Sequence, residues 1–144
     1  MNPAPLAVTA GNAARVYGAV NPAFTGKVIG AVNGDTFTET FTTTATASSI
    51  VGSYSIVPVV SGAALANYTV TKTNGTLAIT QAGTSTSFAL SNQNLTLTAS
   101  VVSLTSGTPT GNVSFLGGQT LIGTGALTNR VASYTATSVL LRMF

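Results

Sequence analysis

Residues 68–80 read Tyr-Thr-Val-Thr-Lys-Thr-Asn-Gly-Thr-Leu-Ala-Ile-Thr, two alternating runs separated by an Asn-Gly dipeptide at 74–75. Alternation of apolar and polar residues predicts β-strands, and Asn-Gly supplies the positive φ angles of a type I′ turn. The stretch therefore predicts a two-residue β-hairpin, in which Lys72 pairs with Leu77 and Thr73 with Thr76. One apolar face is then shared by Tyr68, Val70, Leu77 and Ile79.

Lys72 lies at the turn end of that apolar face, where its stem can cover Leu77 while the ammonium reaches water. The alternative is an intramolecular isopeptide crosslink to an Asn, which needs a carboxylate beside it. The chain offers only Asp35 and Glu39 for that role. Because two acids are too few to activate such a bond, we predict no crosslink from Lys27 or Lys72.

Shorter runs that predict strands lie at residues 6–9, 24–29, 42–47 and 54–57. Residues 33–41, Asn-Gly-Asp-Thr-Phe-Thr-Glu-Thr-Phe, are open to two interpretations. A strand places Glu39 on the face of Phe37 and Phe41, where its burial is unfavourable. A helical turn capped by Asp35 instead brings the two phenylalanines together at i,i+4. The segment lacks the repeated carboxylates of a calcium loop, so we expect no metal site there.

From residues 81–84 onward the pattern changes to longer alternating strands between glycine-rich turns. We therefore predict a domain boundary between residues 81 and 82. Strands are expected at residues 95–101, 113–116, 121–122 and 132–136, with a turn at 107–111. Gly117-Gly118 and Gly123-Thr124-Gly125 are interpreted as hairpin turns and not as phosphate-binding loops, since neither opens a helix. Such closely spaced turn signals predict a sandwich of short strands.

The composition removes most enzyme chemistry. The 144 residues include no His, no Cys, no Trp and only two carboxylates. General acid–base catalysis, thiol nucleophiles and transition-metal sites therefore lack their usual residues. We predict no enzyme activity, no catalytic, cofactor-binding or metal-binding residues and no cofactor, and the sequence identifies no ligand-binding residue. Hydrophobic residues make up 44% of the chain, which indicates a folded protein.

The charged residues form no patch. Five scattered basic residues give a net charge of +3, and we expect them on the solvated surface, without nucleic-acid binding: Arg15, Lys27, Lys72, Arg130 and Arg142. The first residues lack the basic and apolar segments of a signal peptide, and no run reaches membrane-spanning length.

Five separate motifs occur in the first half of the chain. They are Val-Tyr-Gly-x-x-Asn-Pro at 16–22, Asn-Gly-Asp-Thr at 33–36, Val-Gly-Ser-Tyr at 51–54, Asn-Tyr-Thr-Val at 67–70 and Asn-Gly-Thr-Leu at 74–77. Together they resemble the MBG domain of the Tyr-Gly type, a repeat module of large bacterial surface proteins. The resemblance covers residues 4–81 and implies a small, β-grasp-like module with at most one short helix.

Residues 82–144 resemble the bacterial immunoglobulin-like (Ig-like) repeat that often follows such modules. The resemblance rests on the strand at 95–101 and on Ser-Gly-Thr-Pro-Thr-Gly-Asn-Val-Ser-Phe at 106–115. Members of that family continue beyond residue 138 with a turn and two more strands, where this chain has Val-Leu-Leu-Arg-Met-Phe at 139–144. We therefore expect an incomplete, C-terminally truncated Ig-like sandwich that does not fold alone and that self-associates through its open C-terminal edge.

The expected protein is mainly β, with two small tandem modules. Its expected function is that of a non-catalytic structural or adhesive repeat fragment of a large bacterial extracellular or cell-surface protein, with neighbouring β repeats as its partners. A glycan or protein ligand is not specified by the sequence. The alternative is a carbohydrate-binding accessory module of a secreted enzyme, although such modules usually expose Trp or paired Tyr.

Overall fold

The computed structural model describes residues 2–91 and 96–136 of the chain. Its contacts divide the chain into two compact units, Met1–Gln81 (unit 1) and Ala82–Phe144 (unit 2). Within the described residues the regular structure consists of β-strands and one 3-10 helix, Leu65–Asn67 in unit 1. The prediction of a mainly β protein with at most one short helix is confirmed. In this same part of the chain, no helix is long and apolar enough to cross a membrane.

The described residues of unit 1 form seven strands, β1 Ala4–Ala10, β2 Ala13–Val16, β3 Gly26–Ile29, β4 Thr38–Thr42, β5 Gly52–Ser61, β6 Tyr68–Thr73 and β7 Gly75–Thr80. These strands make two sheets. One has the order β3-β1-β6 and the other the order β2-β7-β5-β4.

The first two strands of unit 1 run parallel to its last two strands. β1 pairs with β6 from Ala4↔Tyr68 to Thr9↔Thr73, and β2 pairs with β7 from Ala13↔Leu77 to Val16↔Thr80. The partner of each residue is therefore 64 positions further along the chain in both ladders. The two ladders therefore make one parallel pair, in which residues 4–16 lie beside residues 68–80 in a constant register. Near its middle, this pair of strands passes from the first sheet to the second.

The predicted hairpin at residues 68–80 is wrong. β6 and β7 lie in different sheets, and neither Asn74 nor Gly75 has the positive φ angle that a type I′ turn requires. Gly75 is a buried strand residue that pairs with Ile56, and a Cβ there would collide with the carbonyl oxygen of Gly11. Glycine is needed here for close backbone approach, not for a turn.

The apolar residues of the supposed hairpin enter two separate cores. Tyr68 packs with Leu6, Val8 and Val60, and Val70 borders this group. Leu77 and Ile79 pack in the other core, with three further buried residues, Ala10, Ala45 and Ile56. Each half of the stretch therefore buries its apolar face against a different set of strands.

Residues 38–42 form strand β4, so the helical interpretation of residues 33–41 is wrong. β4 pairs with β5 alone and lies at the edge of its sheet, where Glu39 is exposed. An edge position lets a long carboxylate side chain reach water, which removes the burial penalty that argued against a strand. The strand expected at 42–47 is also wrong, since β4 ends at Thr42 and a turn with Ser49 N–H donating to Thr46 O follows (2.9 Å).

The described residues of unit 2 also form two sheets, with the orders β12-β9-β8 and β10-β11. The core of unit 2 is a cluster of four buried residues, Leu97, Ala99, Phe115 and Ala132, bordered by Val113, Ile122, Leu127 and Tyr134. The strands are β8 Thr84–Ser91, β9 Thr96–Ser103, β10 Asn112–Gly117, β11 Thr120–Ala126 and β12 Val131–Thr135.

One of the two predicted glycine turns of unit 2 is wrong. Residues 117–120 do connect β10 to β11, but Gly123 and Gly125 lie inside β11. A Cβ on Gly123 would collide with the ring of Tyr134, so glycine lets this ring approach the strand. The residues on which the predicted truncation rests, 139–144, lie outside the described part of the chain.

Candidate functional site

The Tyr-Gly motif at residues 17–18 forms a tight turn. Ala19 N–H donates to Val16 O over 3.2 Å, and Gly18 has φ 81° at the third position of this turn. A positive φ at that position is the requirement of a type II turn and explains the glycine. Tyr17 packs against the core around Leu77, and its N–H donates to Thr80 O (2.8 Å). The motif therefore ends β2 and fixes the chain to the end of β7.

Arg15 is buried, with 7% of its surface exposed, so the prediction of a solvated position is wrong for this residue. Its Nε donates to Asn21 Oδ1 (2.7 Å), and its Nη2 donates to Thr46 O. Asn21 Nδ2 in turn donates to Ala45 O (2.7 Å). The guanidinium thus joins β2 to two loops, and this network explains why Asn follows the Tyr-Gly turn.

The basic residues Lys27, Lys72 and Arg130 are exposed, as expected, and Arg142 lies outside the described residues. Lys72 pairs with Val8 of β1, so the proposed cover of Leu77 by its stem is wrong. The absence of a lysine crosslink stays a prediction.

The Asn-Gly-Asp motif at residues 33–35 forms the turn that was expected at 74–75. Asn33 and Gly34 have φ values of 57° and 75°, and Asp35 N–H donates to Val32 O (3.0 Å). Two successive positive φ angles are those of a type I′ turn. The turn places Asp35 next to the start of β6.

The hydroxyl of Tyr68 is the centre of this corner of unit 1. It accepts from Val32 N–H (3.0 Å), and it faces Asp35 Oδ2 (2.8 Å) and Val32 O (3.2 Å) as acceptors. The ring of Phe37 meets that of Tyr68 edge to face at 5.1 Å. The hydrogen bond from Val32 lowers the pKa of Tyr68, but burial and the nearby Asp35 carboxylate outweigh it, so the pKa is raised above its ordinary value.

A cleft of about 300 Å³ opens beside Tyr68. Its polar groups can exchange hydrogen bonds with hydroxyl groups of a ligand, because a carboxylate accepts and amides both donate and accept. The lining residues are Asn2, Pro3, Ala4, Val32, Asn33, Asp35, Ala66, Asn67 and Tyr68. Across the described residues, no three His, Cys, Asp or Glu side chains are grouped so that they could hold a metal ion.

Unit 2 has an apolar cleft of about 330 Å³ between its two sheets. Phe88 lies at its rim with 60% of its surface exposed, whereas Phe115 is buried beneath it at a ring distance of 6.4 Å. The remaining lining residues are Thr86, Leu97, Ala99, Val113, Ser114, Leu116 and Ile122. This lining carries two hydroxyl groups and no charge, so it offers a mainly apolar contact surface.

Residues 6–78 match the family model of the MBG domain (YGX type). The chain belongs to this family. The match lies within unit 1 and leaves unit 2 without a family assignment. Neither curated proteins nor solved structures gave a match. MBG domains are β modules typical of surface proteins.

In this MBG domain the family motifs serve the fold. The Tyr-Gly motif makes a turn, Asn-Gly-Asp makes a turn and anchors Tyr68, and Asn-Gly-Thr-Leu carries the chain from one sheet to the other. Sequence reasoning missed the burial of Arg15. The available signal was its alternation with Ala13, which packs against the core around Leu77.

Proposed function

We propose that this protein is a non-catalytic structural or adhesive repeat fragment of a large bacterial extracellular or cell-surface protein. The observation that carries the proposal is the use of the MBG motifs: their turns, hydrogen bonds and close contacts build unit 1 itself. A module whose defining residues maintain its fold is suited to repetition along a longer chain, with neighbouring β repeats as its partners.

Unit 2, in this proposal, is an Ig-like module. Its sheet order supports the assignment, because β9 lies between β8 and β12. In an Ig-like domain the second strand likewise lies between the first and the fifth, and the third strand belongs to the opposite sheet. β10, the third strand of unit 2, is in the separate sheet with β11.

The proposed location can be tested on cells that produce the protein. An antibody against the purified chain should label intact cells, and brief protease treatment of those cells should remove the label. Labelling of permeabilised cells alone would contradict an extracellular location. An antibody against a cytosolic enzyme provides the control for cell integrity.

Self-association through unit 2 is part of the proposal, with a second copy of the chain as the partner. Among the described residues of unit 2, β8 is an edge strand with all of its residues exposed, including Phe88 and Leu90. Exposed apolar edge strands recruit further strands. Light scattering should show oligomers that a Phe88→Lys variant reduces, whereas Lys27→Ala in unit 1 leaves them unchanged. A chain that stays monomeric at high micromolar concentration contradicts this part.

The second candidate function is carbohydrate binding, favoured by the cleft beside Tyr68. Asp35 and the exposed Asn33 and Asn67 supply the amide and carboxylate groups that hydrogen-bond sugar hydroxyls. A glycan array tests it. Binding that disappears in an Asn67→Ala variant and persists in Asn74→Ala supports the second function, and an array without any bound glycan contradicts it.

A further inference from the structure

The two ends of unit 1 lie at opposite poles of one parallel strand pair. The chain enters β1 at Ala4, beside Tyr68, and leaves β7 at Thr80, beside Val16. Paired residues are 64 positions apart in the sequence at both poles. A tension applied to the two ends therefore pulls the two partners of this pair in opposite directions along their common axis.

We propose that unit 1 is a load-bearing clamp, in which the parallel pair formed by residues 4–16 and 68–80 resists tension in shear. In this geometry the hydrogen bonds of the ladder are loaded together, so several must fail in one step. If both strands are pulled from the same pole, the bonds are loaded one after another and the pair peels apart. The direction of pulling, and not the number of bonds, then sets the unfolding force.

Each ladder of the pair contains one central strand. β1 lies between β3 and β6, and β7 lies between β2 and β5, whereas β6 and β2 are edge strands among the described residues. Leu6 and Val8 of β1 and Leu77 of β7 are almost completely buried. Burial keeps water from replacing the ladder hydrogen bonds as they stretch, which raises the barrier to rupture.

The point where the pair changes sheets is also fixed. Asn12 Oδ1 accepts from Thr76 N–H (2.8 Å), again a pair 64 positions apart. The close contact of Gly75 with the backbone of Ala10 and Gly11 lies at the same point. The clamp is thereby continuous from the first ladder to the second.

The chain has no cysteine, so introduced cysteine pairs define where a molecule is held in a force experiment. The shear pair is Asn2→Cys with Gln81→Cys, and the peel pair is Asn2→Cys with Asn67→Cys, made in the full-length chain. All three positions are exposed. At about 3.5 Å per extended residue, full stretching between the handles gives about 280 Å for the shear pair and about 230 Å for the peel pair, which identifies the unit 1 event.

At the same pulling speed, we expect the rupture force of the shear pair to be at least about twice that of the peel pair, since forced unfolding depends on the barrier along the pulling direction. Equal thermal unfolding of both variants without load serves as the control for the substitutions. Equal rupture forces, or a larger force for the peel pair, would overturn the proposal. The result is independent of where the protein is located, because the cell-labelling experiment tests that separately.

Discussion

The same substitution should destabilise unit 1 at one of its two Asn-Gly dipeptides and have almost no effect at the other. Asn33 has φ 57°, whereas Asn74 is not among the residues with positive φ and joins two extended strands. A side chain in the left-handed region costs about 1–2 kcal/mol, and a β-branched residue is the least tolerated there. We therefore expect Asn33→Val to destabilise unit 1 by about 1–2 kcal/mol, whereas exposed Asn74→Val should stay within about 0.5 kcal/mol of the wild type.

The effect can be measured by urea titration of the full-length chain, followed by the amide NMR signals of unit 1. For a unit of this size, a loss of about 1–2 kcal/mol corresponds to a fall in melting temperature of roughly 4–16 °C. Asn33→Gly is the matched control and should stay close to the wild type, because glycine accepts positive φ. If Asn74→Val destabilises unit 1 as much as Asn33→Val does, the crossing of the chain at residues 74–75 is wrong and a turn exists there.

Three further substitutions test the cores and the Tyr68 corner. Leu77→Ala should lower the free energy of unfolding by about 3 kcal/mol, because the substitution leaves a cavity in the core. The control Val51→Ala, at a half-exposed position, should lower it by less than about 0.5 kcal/mol. Equal losses in urea titrations would contradict the assigned core. Arg15→Met should cost about 2 kcal/mol because the Asn21 amide oxygen and the Thr46 carbonyl lose their donor, and an unchanged urea midpoint would refute that network. Tyr68→Phe should destabilise unit 1 at pH 7, because the hydrogen bonds of the hydroxyl with Val32 and Asp35 are lost. Because the folded-state pKa of Tyr68 is raised above 10.0, its contribution is complete below pH 10 and declines at higher pH. The stability difference between wild type and Tyr68→Phe should therefore shrink above pH 10, and a constant difference would contradict this assignment.

The strands of unit 1 were largely predictable, but the pairing of residues 68–80 was not. Tyr68 and Val70 occupy even positions, and Leu77 and Ile79 occupy odd positions. This shift of the apolar face fits a hairpin, and it fits equally well a strand pair that passes from one core to another. Local pattern cannot separate the two, because the choice depends on whether distant strands offer better partners.

A non-local signal for the observed pairing does exist in the sequence. Leu6 and Val8 are at even positions and Ala13 and Arg15 at odd positions, with the shift near Gly11. That shift lies about 64 residues before the one at residues 74–75, which is the observed register. Matching shifts at a fixed separation therefore indicate two strands that cross between the same two sheets.

The site was less predictable than the fold. The motifs pointed to the family. However, the burial of Arg15 and the contact between Tyr68 and Asp35 depend on three loops, at residues 17–25, 30–37 and 43–49. The paths of these loops follow from how the strands pack. Glu39 was misjudged for a related reason: whether a strand face is buried depends on whether the strand is central or at an edge.

The parallel pairing of residues 4–16 with residues 68–80 can be measured by cross-strand NMR contacts. With the full-length chain labelled with ¹³C and ¹⁵N, we expect backbone contacts of Leu6 with Val70 and of Ala14 with Ala78, together with hydrogen-bond couplings between these strands. Contacts between Val70 and Ile79 or between Thr73 and Thr76, without those to residues 4–16, would show a local hairpin and contradict both the fold and the clamp.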